Sequence, residues 1–233
     1  MLPLRDNAPT RHFPVVTVGL IAANVLVYFL YQRGGVAAAE GPVRELAYRP
    51  CEVVGECAVV GQDWYVTSFT AMFMHGDILH LGGNMLFLWI FGNNVEDVLG
   101  RVRYVAFYLL AGYAATALQT AVTLETASPA AAEIPNLGAS GAISGVLGAY
   151  FLLLPHARIL TLFILGILIF LRELPAWIYL GIYFAFQAWQ ANFQLQQPPE
   201  GGGVAVFAHI GGILFGLALV KVFQKRPPLR PRY

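Results

Sequence analysis

The sequence predicts an all-α, polytopic membrane protein: a bundle of six transmembrane helices with its N- and C-termini cytoplasmic. Three observations carry that expectation. Hydrophobic residues make up 58% of the chain and charged residues 12%, against roughly 45–50% and ~25% in soluble domains. Six apolar segments approach the ~20 residues that a helix needs to cross a hydrocarbon core of ~30 Å. Lysine and arginine also collect on one side of those segments, the pattern of cytoplasmic loops. The net charge of +1 gives no hint of nucleic-acid binding. With no long polar stretch for a second domain, residues 1–13 are expected as a cytoplasmic N-terminus, 14–223 as one six-span domain and 224–233 as a basic tail.

Span 1 is Pro14–Tyr31, preceded by Arg5 and Arg11. A secretory signal is the competing assignment, with Val36-Ala37-Ala38-Ala39 as its cleavage site. The run is longer than the usual ~7–15-residue signal core and ends in large aromatics, so a retained helix is expected. An outer loop follows over about 32–77. Its Cys51 and Cys57 form a small disulfide if the compartment is oxidising, and remain two unpaired thiols otherwise. No histidine lies near them, which argues against a structural zinc site. Trp64, Tyr65, Phe69 and Phe73 are residue types that favour the membrane interface, so part of this loop is expected on or in the outer leaflet.

The remaining spans are Ile78–Val95, Tyr104–Thr123, Ser140–Leu154, Pro175–Ala191 and Val204–Phe223. A seventh apolar stretch, Ile159–Leu171, is too short to cross and is bounded by charge, which favours an interfacial or re-entrant segment. Basic residues test the count. Arg5, Arg11, Arg101, Arg103, Arg158, Arg172, Lys221, Lys225, Arg226, Arg230 and Arg232 fall inside, 11 of the 14, while Arg33, Arg44 and Arg49 share one outer loop. Making Ile159–Leu171 a true span would put the five charges of the tail outside, so six spans are preferred. The Pro/Arg end, Arg226–Tyr233, is expected to be disordered.

Depth then gathers the polar residues. Fifteen helical residues in span 4 cover ~22 Å, less than the ~30 Å core. Its inner end is fixed by Pro155, His156 and Arg158, so Ser140 at the other end is submerged below the outer surface. His209 lies five residues into span 6, and His80 and Asn84 lie two and six residues into span 2, all entering from the same side. Polar groups in a bilayer are costly and default to functional candidates. Gly141, Gly145 and Gly148 on span 4, and Gly212 and Gly216 on span 6, stand at spacings that let membrane helices approach closely. If those faces meet, Ser140 and His209 come within hydrogen-bond reach.

Serine beside histidine is the minimal activated nucleophile, with imidazole taking the hydroxyl proton. Ser140 would attack a peptide carbonyl, and His209 would serve as general base and then as acid to the leaving amine. No Asp or Glu occurs in spans 4 or 6, so a dyad is expected rather than a triad. His80 and Asn84, with the Ser140 amide at a helix N-terminus, fit the oxyanion donors. A zinc protease would want His-Glu-x-x-His, which is missing. An aspartyl protease would want two core aspartates, whereas Asp63, Asp77 and Asp97 sit in loops or at span ends. No metal and no cofactor is expected.

At these residues the chain resembles the bacterial rhomboid intramembrane serine proteases. The resemblance covers residues 14–223 and rests on His80-x-x-x-Asn84, Gly138-x-Ser140-Gly141 and Ala208-His209-x-x-Gly212-x-x-x-Gly216, in order on spans 2, 4 and 6. It implies a rhomboid-like fold, Ser140 as nucleophile, His209 as base, and oxyanion roles for His80, Asn84 and the Ser140 amide. It also implies cofactor-independent cleavage of single-pass transmembrane proteins near their outer end, in contact with membrane lipid, in a bacterial plasma membrane. Ser144 departs from the pattern, since many relatives carry there a tyrosine that packs on the histidine. Trp64-Tyr65 is a second departure, at a place where some members have Trp-Arg. The different-class alternatives are a non-catalytic rhomboid relative that binds and escorts membrane clients, and a transporter. Loss of Ser or His would mark the former, and symmetry-related broken helices the latter. Neither is found. Span 5, with bulky Phe184, Phe186 and Trp189, and the loop 194–203 are expected to form a gate and a mobile cap over the Ser140 cavity.

Overall fold

The computed structural model describes residues 1–32, 40–57, 62–196 and 203–229. Strand β1 (Leu2–Asp6) precedes α1 (Val15–Leu26), which continues as a π-helical turn, Val27–Tyr31. Three short helices follow: α2 (Glu40–Leu46), α3 (Cys51–Val54) and α4 (Trp64–Ala71). Helix α5 (Ile78–Phe87) runs through a π turn, Leu88–Gly92, into α6 (Asn93–Leu99). Then come α7 (Arg101–Thr126), α8 (Pro129–Ala132), α9 (Ser140–Leu153), β2 (Arg158–Leu165), β3 (Leu168–Pro175), α10 (Ala176–Gln196) and α11 (Val206–Phe223). All six expected spans are thus helical. Two of them, α7 and α11, are long and apolar enough to cross a membrane by length and composition, and Val15–Tyr31 and Ser140–Leu153 are shorter apolar helices.

The all-α expectation needs correction. Residues 158–175 form a β-hairpin, and β1 adds antiparallel to β2 to complete a three-stranded sheet in the order β1-β2-β3. The stretch expected as interfacial or re-entrant, Ile159–Leu171, lies in that hairpin. A short apolar run is compatible with either strand or helix by periodicity. Gly166 settles it locally: its φ of 63° opens the two-residue turn between Leu165 and Leu168, a position that glycine fills without steric cost. The flanking charges Arg158 and Glu173 then come together across the hairpin at 3.8 Å.

Helices α7, α9 and α11 pack against one another, and glycine sets the distances. A Cβ on Gly212 or Gly216 would run into the carbonyl oxygens of Gly141 and Gly145 respectively. On its other side, Gly141 and Gly145 abut Ala115 and Ala111 of α7. Missing side chains thus let backbone meet backbone, which suits helix association in lipid. Residues Gly141–Tyr150 of α9 are buried without interruption.

Polar ties hold the end of the bundle that carries both chain termini. Glu96 accepts hydrogen bonds from the first-turn amides of α1, Val16 N (3.0 Å) and Thr17 N (2.8 Å), and from Thr17 Oγ1 (2.8 Å). Asp97 takes Arg11 Nη1 at 2.6 Å, and Arg11 in turn donates to the Pro227 carbonyl. The amides of Lys225 and Arg226 both donate to Val98 O. The segment 226–229, expected to be disordered, is therefore docked at its start, and residues 230–233 lie outside the described residues. Asp6 Oδ2 accepts from Tyr150 Oη (2.5 Å) and Asn94 Nδ2 (2.7 Å), which fastens β1 to the core.

Within its described residues, the expected outer loop carries α2, α3 and α4. Cys51 and Cys57 form a disulfide, with Cα atoms 5.1 Å apart. Glu52 is buried beside Arg49 (3.7 Å) and takes the hydroxyl of Thr67, and burial raises its carboxyl above the usual range. Trp64, Tyr65 and Phe69 stay exposed on α4. The competing cleavage site, residues 36–39, lies outside the described residues.

Two outcomes follow. Gly212→Ala should force α9 and α11 apart and cost about 1–3 kcal/mol, read as a lower melting temperature in detergent. The Asp6 carboxyl is pushed up from 3.8 to about 6 by burial, against the lowering hydrogen bond from Tyr150. A raised carboxyl means that the folded state holds the proton more tightly, so this contribution is full below pH 4 and lost as pH rises through 6. Melting measured from pH 4 to 8 should show that decline in the wild type and a flatter curve in Asp6→Asn.

Candidate active site

Ser140 opens α9, and the chain reaches it through Gly138, whose φ of 126° is open to glycine. The expected outer loop fixes this approach. Gly138 N donates to Ala71 O (2.9 Å) and Asn136 N to Tyr48 O (2.7 Å), while Tyr48 Oη meets Thr120 Oγ1 on α7 at 2.5 Å. A side chain at Gly138 would also strike the His80 ring, 2.9 Å from where its Cβ would stand.

His209 lies near the start of α11, one turn before Gly212. Its Nε2 is 2.8 Å from Ser140 Oγ. Its Nδ1 is 2.9 Å from Oε1 of Gln187 on α10. Only carboxylates of spans 4 and 6 enter the sequence-based expectation of a third member, whereas Gln187 is an amide of span 5. Its signal in the sequence was a glutamine in the apolar run Ile182–Ala191, shared with Gln190 three residues on, the kind of group that burial in lipid makes expensive.

His80 and Asn84 stand one turn apart on α5. Asp77 caps this helix by accepting from His80 N (2.8 Å), and that hydrogen bond holds its carboxyl below the usual range. Gly76 N points at His80 Nδ1 at 3.4 Å. With Nδ1 accepting, the proton of a neutral His80 sits on Nε2, which with Cε1 forms the edge of the ring that faces Gly138. Asn84 Nδ2 is 2.9 Å from Nε2 of His75. His75 is locked in place by Gln32, which exchanges two hydrogen bonds with its backbone (2.8 and 3.0 Å). Burial, and then the nearby His80, push the His75 imidazole down to about 3. It remains a neutral hydrogen-bond partner for Asn84 at ordinary pH.

Ser140, His209, His80, Asn84, Gly76 and Tyr183 all line one cavity of about 640 Å³. The packing glycines Gly141, Gly145, Gly212 and Gly216 lie behind it, between α9 and α11. Ser144, one turn beyond Ser140, is buried. On α10, Tyr183 lines the cavity, Phe184 packs on Phe151 (5.5 Å between ring centres), and Phe186 and Trp189 stack on each other and face outward. Helix α10 continues through Gln196, so the expected cap loop begins later than residue 194, and residues 197–202 lie outside the described residues.

Comparison with known proteins gives the cluster a context. A family model, the Rhomboid domain, matches residues 62–226. The chain is 32% identical over 173 residues to Rhomboid protein 1, mitochondrial, of Saccharomyces cerevisiae, covering 70% of this chain and 45% of that protein. It is 27% identical over 222 residues to the bovine Presenilin-associated rhomboid-like protein, mitochondrial, covering 91% and 50%. Rhomboid protease GluP of Bacillus subtilis is 31% identical over 136 residues, covering 58% and 24%. The chain spans about half the length of the yeast and bovine relatives. Because the matched domain holds α4 through α11, and with them every residue of the cavity's Ser–His–Gln and His–Asn groups, the chain belongs to the rhomboid family of integral membrane proteins.

Proposed function

We propose that this chain is an intramembrane serine endopeptidase that cleaves transmembrane proteins with a Ser140–His209 dyad. The observation that carries this reading is the 2.8 Å contact between His209 Nε2 and Ser140 Oγ, inside a cavity that His80 and Asn84 also line. Ser140 Oγ attacks the scissile carbonyl while its proton passes to His209 Nε2. The tetrahedral oxyanion is held by Ser140 N at the N-terminus of α9, by Asn84 Nδ2 and by His80 Nε2. Collapse breaks the C–N bond, and His209 returns the proton to the departing amine. Water, deprotonated by the same imidazole, then hydrolyses the acyl-enzyme and frees Ser140.

The membrane setting belongs to the same proposal. Six helices cross, with the N-terminal 1–13 and the tail 224–233 on the cytoplasmic side and the 14–223 domain between them. Leu30, Leu79, Val102, Trp189, Leu214 and Val222 are exposed, on surfaces that suit contact with lipid. The substrate is a single-pass membrane protein, cut near the outer end of its span, where the cavity opens. Of the three relatives, two carry mitochondrial names, which gives the expected bacterial plasma membrane no support.

Ser140→Ala and His209→Ala should each abolish cleavage of a tagged single-span substrate while leaving the melting temperature near that of the wild type. A fluorophosphonate probe should label the wild type and not Ser140→Ala. Cleavage by Ser140→Ala at the wild-type rate sinks the dyad. Losing one oxyanion donor typically costs ~10²–10³ in kcat, so Asn84→Ala should lower kcat by that order with little change in KM. An unchanged kcat in both Asn84→Ala and His80→Ala would return these residues to a structural role.

A further inference from the structure

We propose that Gln187 is the positioning residue of the dyad: its side-chain carbonyl accepts the Nδ1 proton of His209 and so fixes the tautomer whose Nε2 is free to take the proton of Ser140. This rests on the proteolytic reading for its consequence and on geometry for its existence.

A neutral imidazole carries one donor and one acceptor nitrogen. A base facing Ser140 must present the lone pair at Nε2, which obliges Nδ1 to hold the proton. In a buried apolar setting an unpaired N–H is costly, and Gln187 Oε1 stands 2.9 Å from Nδ1. Gln187 is 4% exposed, so bulk water does not compete for either partner. The opposite amide orientation has the opposite consequence. A Gln187 NH₂ donating to Nδ1 would place the histidine proton on Nε2, aimed at Ser140, and the imidazole could not act as a base. The two orientations therefore differ in function as well as in coordinates.

An amide also suits this site better than the carboxylate of the soluble triads. It orients the ring and selects the tautomer without placing an ionised group among apolar helices, where charge is expensive. The chain that carries it matters as much. Along α10 the buried residues are Ala176, Tyr179, Leu180, Gln187 and Ala191, while Phe186, Trp189, Phe193 and Leu195 face outward. Gln187 is thus the buried polar anchor of the Ser140 end of α10, with Gln194 Nε2 donating to Val204 O (3.0 Å) farther along. Any outward swing of this end breaks the Gln187–His209 bond, so the base is organised when α10 is seated and loses its tautomer preference when it is displaced.

The test uses the full chain in detergent or nanodiscs with ¹⁵N-labelled histidine, and the His209 resonances assigned by their loss in His209→Ala. Wild type and Gln187→Glu, which keeps an acceptor oxygen, should show His209 protonated at Nδ1. Gln187→Leu should lose that preference. With a single-span substrate, Gln187→Leu should lower kcat at least tenfold, below the ceiling of the ~10⁴-fold loss that a wrong tautomer causes in Ser-His-Asp enzymes. KM should stay within about twofold, since transition-state and not ground-state interactions are lost, and Gln187→Glu should recover most of the loss. A wild-type His209 protonated at Nε2 overturns the proposal. So does a Gln187→Leu protein with unchanged tautomer and kcat, or an equal loss in Gln187→Leu and Gln187→Glu, which would mark a packing role. If Gln187→Leu does not fold, the wild-type and Gln187→Glu spectra still decide the matter. If the wild type cleaves nothing and Ser140 does not react with the fluorophosphonate, the proteolytic reading fails, and the tautomer result stands or falls separately.

Discussion

The backbone contact between α9 and α11 is the constraint on which the rest of the structure depends. Ser140 precedes Gly141 by one residue and His209 precedes Gly212 by three, so the distance between serine and histidine is set by how closely those glycines meet. The Gly212 and Gly216 surfaces lie directly on the carbonyls of Gly141 and Gly145. Donor–acceptor distances in hydrogen bonds span only a few tenths of an ångström. A single added methyl group at this contact would shift the helices by more than that. Helix α7 completes the arrangement from the far side, with Ala111 and Ala115 filling the space that larger residues would deny.

Burying polar groups among apolar helices is costly without partners, and the chain gathers its side-chain pairings in two layers with different outcomes. At the end that carries the termini, Glu96, Asp97 and Asp6 are consumed by backbone amides, Arg11, Tyr150 and Asn94. Those carboxylates close the structure. At the Ser140 end the groups are tied from behind and left open in front. Gln32 holds His75, which meets Asn84, and Gln187 holds His209, which meets Ser140. The faces that remain point into the cavity. A network built this way is preorganised without being saturated, which is the condition for stabilising charge that develops during a reaction.

Much of this was legible in the sequence because lipid imposes long, regular signals. The bounds of the six apolar runs fall within a few residues of helices α1, α5–α6, α7, α9, α10 and α11. Depth counting along them brought Ser140, His209, His80 and Asn84 to one level before any contact was known. What escaped has a common cause. The β2–β3 hairpin is apolar on both faces, so it lacks the alternation that marks a half-buried strand, and its partner β1 lies some 150 residues away in a segment with no strand pattern. Gln187 and His75 escaped because their roles come from pairing across elements, Gln187 with α11 and His75 with Gln32 and α5. A polar residue in an apolar run announces that it has a partner but does not name it.

Ser144 shows how such pairings can exchange burdens. The rhomboid resemblance leads one to expect a tyrosine one turn after the nucleophile, its ring packed on the histidine. Here that position is a small, buried serine, and no aromatic ring can reach the imidazole from α9. Stacking restrains the plane of an imidazole by dispersion and leaves its proton free to sit on either nitrogen. A hydrogen bond at Nδ1 restrains the plane and chooses the nitrogen as well. With Gln187 proposed as the orienting contact, the restraint moves from α9, buried from Gly141 to Tyr150, to α10, whose outward face is lined by Phe186, Trp189 and Phe193. On that proposal, the order of His209 is tied to the seating of α10, with its exposed aromatic face, and not to α9, which carries Ser140.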